Sequence, residues 1–96
     1  MDKQPCVYIL ASKHRGTLYT GVTSNLVKRV YEHKHNFVEG FTKIYNVHLL
    51  VWYELHVTIY AAIQKEKMIK NWKRDWKLQL IEQESSSWRD LYSDLF

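Results

Sequence analysis

Cys6-Val-Tyr-Ile-Leu-Ala11, Ser12-Lys-His-Arg-Gly16 and Thr17-Leu-Tyr-Thr-Gly-Val22 follow one another without a break, and their reading decides the fold. The first run is short, apolar and aromatic, which suits a buried strand, and the third is rich in the Thr, Tyr and Val that pleated surfaces favour. A five-residue polar connection containing glycine is the signal for an antiparallel hairpin, so the two runs are expected to be neighbours in one sheet, with Tyr8 and Tyr19 close together.

Downstream of the hairpin, Thr23-Ser24-Asn25 offers capping side chains just before Leu26, Val27, Val30 and Tyr31, whose spacing predicts a helix to about His35. Its polar side carries Lys28, Arg29, Glu32 and His33. Residues 36–46 have no clean period and read as a loop. His48 to Leu55 reads as a third strand, and Thr58 can cap a helix from Ile59 to about Trp72, followed after a bend near Lys73 and Arg74 by another from Asp75 to about Gln83. At 100° per residue, Ala62, Ile69, Trp72 and Trp76 form one stripe, expected in the core, beside a second stripe of Glu66, Lys70, Lys73 and Lys77. Ser87 is positioned to cap a terminal turn that folds Trp88, Leu91 and Tyr92 back on the body.

The result is an α/β fold of the α+β kind: a small, three-stranded, mainly antiparallel sheet flanked by helices. Ninety-six residues with 46% hydrophobic and 25% charged side chains, three glycines and one proline, suit one globular domain spanning residues 1–96 and exclude disordered, collagenous or low-complexity classes. The single Cys6 allows no internal disulfide, no leader-like segment opens the chain, and the apolar run Val47–Tyr53 is far short of a membrane span. A cytoplasmic address without membrane attachment is expected.

A net charge of +4 suggests an anionic partner. Between Ala61 and Leu80 six cations face two anions, so this one segment carries the whole excess. A solvated lysine face would look the same. Chemistry elsewhere must choose between them. There is no Gly-x-Ser-x-Gly elbow, no glycine-rich phosphate loop and no His-x-x-x-His pair. What remains is Tyr8, Tyr19, Arg29, His33 and, inside the basic segment, Glu66.

These residues resemble the GIY-YIG nuclease superfamily, most closely its small stand-alone bacterial branch. The second tyrosine follows the first by eleven positions, Arg29 comes ten later within Tyr19-Thr-Gly-Val-Thr-Ser-Asn-Leu-Val-Lys-Arg29, and His33 one helical turn beyond that. The family glutamate matches Glu66 in Ala61-Ala-Ile-Gln-Lys-Glu-Lys-Met-Ile-Lys-Asn-Trp72, and the likeness runs from about Val7 to Leu91. The chain departs from the pattern at Val7, where the family has glycine, at Thr20, where it has isoleucine, and at Ser85-Ser86-Ser87, where related proteins often carry Asn-Pro.

The resemblance implies the fold above and a divalent-metal-dependent endonuclease that hydrolyses phosphodiester bonds in DNA, with RNA left open, in DNA repair or processing. Its catalytic set would be Tyr8, Tyr19, Arg29, His33 and Glu66. The chemistry needs an activated water and stabilisation of growing charge on the phosphoryl and leaving oxygens. Glu66 offers one hard oxygen ligand to a single Mg²⁺ or Mn²⁺ that keeps several waters. Arg29 suits bidentate contact with the scissile phosphate. Either tyrosine can bind or deprotonate the water, with His33, on the same helix face as Arg29, as helper to a phenol whose ordinary pKa is about 10. Lys70, Lys73, Arg74 and Lys77 would track phosphates, giving affinity with weak sequence selectivity. Related nucleases often rely on an attached recognition domain. This chain has none, so a protein partner supplying recognition, or a non-catalytic nucleic-acid binding module of the same fold, is the competing expectation.

Overall fold

A computed structural model describes residues 4–38 and 40–96, and among these three strands, four α-helices and a terminal 3₁₀ turn build the fold. Strands β1 (Cys6–Ala11) and β2 (Leu18–Thr23) form the expected antiparallel hairpin, and β3 (Leu49–Leu55) pairs antiparallel with the other side of β1, giving the order β2-β1-β3. The central strand is fully buried because both faces are covered. Val7, Ile9 and Ala11 pack under α3 (Ile59–Lys70) and α4 (Arg74–Glu84), against Ala62, Ile69, Leu78 and Ile81. Cys6, Tyr8 and Leu10 pack on the opposite face with Leu26 and Val30 of α1 (Leu26–Lys34).

Strict alternation fails once. The β1–β3 register shifts between Ile9 and Leu10, so that Ile9 faces Trp52 while Leu10 faces Leu50. The extra residue, Val51, lets Val51 and Trp52 both join the core under α3 and α4.

Both expected caps form: the Asn25 side chain accepts from the Lys28 amide at 3.2 Å and Thr58 Oγ1 accepts from the Ala61 amide at 3.1 Å. Three expectations need correction. Residues 36–46 are not all loop, because Phe41–Ile44 form a one-turn helix, α2. Gly40 introduces it with φ at 102°, a conformation other residues avoid. Trp76 is 53% exposed rather than core, and Trp72 is only partly buried. The reason is a loss of helical phase: α3 ends at Lys70 and Lys73 is extended (φ −61°, ψ 151°), so α4 restarts with Leu78 and Ile81 inward. The stripes drawn across the break do not exist as continuous faces.

Finally, Ser87 caps nothing among the described contacts. The terminal 3₁₀ turn, Tyr92–Leu95, has no side-chain cap at its start. Asp90 organises this segment, accepting from the Tyr92 amide at 3.0 Å and from the Leu50 amide at 3.1 Å. The fold-back itself occurs, with Trp88 buried and its indole donating to Glu82 at 2.9 Å.

Candidate active site

Tyr8 and Tyr19 lie on the α1 face of the sheet, and the hairpin register explains how two phenols fit there. Tyr8 stands opposite Gly21 and Tyr19 opposite Leu10. A Cβ on Gly21 would come within 2.5 Å of Tyr8 Oη and 3.0 Å of Tyr19 Cε2, so only glycine leaves room for the rings. The Tyr-x-Gly spacing in β2 is therefore a packing device: it supplies one tyrosine and clears space for the other.

Helix α1 brings the third ring. His33 is buried beneath the phenols, with ring centroids 5.9 Å from Tyr8 and 5.4 Å from Tyr19. Its Nε2 is 3.0 Å from Tyr8 Oη and its Nδ1 is 2.9 Å from Thr42 Oγ1. A chain of three buried polar groups, Tyr8–His33–Thr42, thus runs under the site, each satisfying the next. Thr42 escapes the sequence reading, since it sits on α2, in a stretch without period, and reaches His33 only through tertiary approach. The one local signal is Gly40, which sets up that turn.

Electrostatics fix the resting protonation of this chain. Burial pushes the Tyr8 hydroxyl well above an ordinary phenol; Tyr19 and Glu66 add to the rise and Arg29 opposes it. Burial, followed by the Arg29 guanidinium, lowers His33 to about 4, against the opposing charge of Glu32. At neutral pH the imidazole is uncharged and the phenol protonated. Two assignments satisfy both contacts: Tyr8 donating to Nε2 with Nδ1–H donating to Thr42 Oγ1, or the reverse tautomer with both bonds turned round.

Arg29 lies one turn before His33 on α1 and lines a shallow cavity of about 190 Å³ with Thr23, Ser24, Asn25, Lys28 and Glu32. It approaches Glu32 at 3.8 Å. Glu66 comes from the other layer, on α3, which packs against β1 and β2. Its side chain is 15% exposed, Lys70 stands 3.4 Å away, and its charge reaches Tyr8. The two tyrosines and His33 are thus in mutual contact, with Arg29 and Glu66 close enough for their charges to act on Tyr8. The basic set is less unified. Lys70 pairs with Glu66, Lys73 lies in the helix break and Lys77 beyond it, and Arg74 donates to the carbonyls of Arg15 and Gly16 at 2.6 and 2.8 Å, tying α4 to the hairpin loop. Cys6 is buried at the start of β1 with its thiol pushed up to about 12, which makes it inert as a nucleophile.

A family model of the GIY-YIG catalytic domain matches residues 4–79, a span containing both tyrosines, Arg29, His33 and Glu66. The chain belongs to the GIY-YIG family. Similar chains include a UPF0213 protein of Staphylococcus saprophyticus, 37% identical over 81 residues that cover 84% of this chain and 96% of that one. A UPF0213 protein of Clostridium perfringens is 38% identical over 79 residues (82% and 84%), and one of Syntrophus aciditrophicus 38% over 78 residues (80% and 88%). No solved structure gives a significant match. GIY-YIG domains are nuclease domains and generally depend on a divalent metal. The donor set here is compatible with one. Among the described residues no three His, Cys, Asp or Glu side chains gather, so an ion would rest on the Glu66 carboxylate with water and substrate oxygens, a shell Mg²⁺ accepts. No described helix is long and apolar enough to cross a membrane.

Proposed function

We propose that this GIY-YIG domain is a divalent-metal-dependent endonuclease that hydrolyses phosphodiester bonds in DNA with weak sequence specificity. The observation that carries the proposal is the buried Tyr8–His33–Thr42 chain with Arg29 and Glu66 acting on it. A phenol held above its ordinary pKa is a poor base by itself. Tyr8 avoids the difficulty by relay: as the attacking water gives a proton to Oη, the proton already on Oη passes to His33 Nε2, so free phenolate never forms. Arg29 disfavours the imidazolium this creates, but a phosphate seated on Arg29 offsets that charge, which couples proton uptake by His33 to substrate binding. Tyr19, at the partly exposed rim, orients the water or the phosphoryl oxygens. Glu66 would hold the divalent ion, which supplies charge stabilisation at the leaving oxygen. A cation held there would oppose the Glu66 charge, which is one of the influences that keep Tyr8 protonated.

Nicked, branched, single-stranded and duplex DNA should be incubated with Mg²⁺ or Mn²⁺ and the products resolved. Cleavage of at least one substrate is expected, reduced about 10³-fold by Glu66→Gln and by a similar factor in Arg29→Ala, the scale of losing one transition-state charge contact. Activity indifferent to Glu66 defeats the mechanism. Binding that persists in both variants, with no cleavage of any substrate, favours the non-catalytic binding module instead.

A further inference from the structure

Beside the site the surface is unusually aromatic. Phe41 and Tyr45, at the two ends of α2, are 44% and 54% exposed. Phe41 stacks on Tyr19, with ring centroids 6.2 Å apart and planes 29° apart, and Tyr45 continues the series at 4.7 Å from Phe41. The rings form one ladder, Tyr19–Phe41–Tyr45, that starts at the site tyrosine and ends in solvent. Gly40, with its positive φ, sets the turn that brings Phe41 there, and Thr42, the residue after Phe41, is bonded to His33. The ladder and the proton chain are thus locked to each other by the same short helix.

We infer that this ladder is a stacking platform for an unpaired nucleobase next to the scissile phosphate, so that the preferred substrate is a single strand, flap or loop. The inference rests on the nuclease reading of the site and names its substrate class. Exposed rings that run on from a site tyrosine, in a site that also holds the arginine proposed to bind phosphate, are the combination that suits single strands: the cation takes the backbone and each ring takes the face of a base. A duplex cannot satisfy it, because paired bases are already stacked and present only their edges. Trp76 is comparably exposed, but its ring contact is with Trp72 at 6.2 Å, on the α3–α4 layer, and that pair has no link to the tyrosines among the described contacts.

The test measures binding without turnover. Fluorescence anisotropy in EDTA is recorded for a labelled single-stranded oligonucleotide, in DNA and RNA versions, and for a blunt hairpin duplex. Wild type should bind the single strand at least tenfold more tightly than the duplex. Phe41→Leu combined with Tyr45→Leu should weaken single-strand binding about ten- to hundredfold, as losing base–aromatic stacks does, with the duplex affinity unmoved. A second measurement leaves the protein intact: oligonucleotides with one abasic position at a time should show a loss confined to one or two adjacent positions. Equal losses on single strand and duplex, a loss as large in Phe37→Leu, which alters an exposed ring outside the ladder, no abasic dependence, or no binding at all would each overturn the platform. Cleavage assays with Mn²⁺ run in parallel separate the two ideas. Stacking without cleavage sinks the nuclease reading alone, and cleavage without stacking sinks the platform alone.

Discussion

The two faces of β1 are built to different rules. Toward α3 and α4 the strand presents Val7, Ile9 and Ala11 to other apolar residues, and no titratable side chain belongs to that core. Toward α1 it presents Cys6, Tyr8 and Leu10, and with them the buried His33 and Thr42, which are satisfied through one another and the Tyr8 hydroxyl. One face gains stability from area removed from water; the other gives some up to hold polar groups in a fixed geometry. Perturbing each face in turn should therefore produce different signatures.

The largest effect is expected on the apolar face. Ile81, fully buried against the sheet, should cost about 2–5 kcal/mol when truncated to Ala, the range for a buried isoleucine losing its methyl groups and leaving a cavity. Urea denaturation should show the midpoint falling by the same amount at pH 7 and pH 5, because Ile81 packs in a cluster whose described members are all non-titrating. Cleavage per folded molecule should be unchanged at low temperature. A strong loss of turnover in the folded fraction would mean that the two faces are mechanically coupled and the division drawn here is wrong.

What could be read from the amino-acid order follows the same division. The hairpin, the third strand and the caps at Asn25 and Thr58 are local features, set by apolar, aromatic and β-branched runs, by a short glycine-containing loop and by side chains bonding amides three residues away. They were legible for that reason. Trp76 was misassigned because a helical wheel assumes unbroken phase, and Lys73 breaks it. Val51 and Trp52 share a face only through a bulge that no single-strand pattern reveals. In the candidate site, family spacing points to Tyr8, Tyr19, Arg29, His33 and Glu66, but not to Thr42, whose partner is nine residues back, on another helix. That Glu66 arrives from the opposite layer is likewise a property of packing that its sequence neighbours do not encode.

A smaller effect, of opposite character, is expected from the polar face. With a native value of about 4 against an ordinary 6.5, His33 stays neutral in the folded protein while the unfolded chain takes up a proton as pH falls. The unfolded state binds more protons between those values, so stability declines as pH drops below 6.5 and the loss is complete below 4. Between pH 7 and pH 5 this amounts to about 2 kcal/mol. His48 is lowered as well, by burial and by Lys34, and adds in the same direction. Urea midpoints at the two pH values should differ accordingly in wild type and much less in His33→Gln. An unchanged difference in that variant would show that His33 is not the group responsible.

The smallest effect is the most specific. Thr42 touches neither phenol in the described hydrogen bonds; it acts through His33 as a positioning residue. Thr42→Val keeps the shape and removes the acceptor for Nδ1–H, leaving a buried donor unpaired at a cost of about 1–3 kcal/mol. If Tyr8 is to hand its proton to Nε2, that nitrogen must be the unprotonated one, and the proposed relay therefore requires Thr42 to accept from Nδ1–H. Thr42→Val should therefore lower cleavage about tenfold, with KM little changed, since general acid–base catalysis is impaired and phosphate binding by Arg29 is not. Thr42→Ser, which restores the hydroxyl, should recover most of the rate. The ¹⁵N resonances of His33 should report a single Nδ1–H tautomer in wild type and in the serine variant, and an exchange-averaged pair in the valine variant. Equal rates in valine and serine, with the tautomer unmoved, would reduce Thr42 to packing and leave Tyr8 without a directed route for its proton.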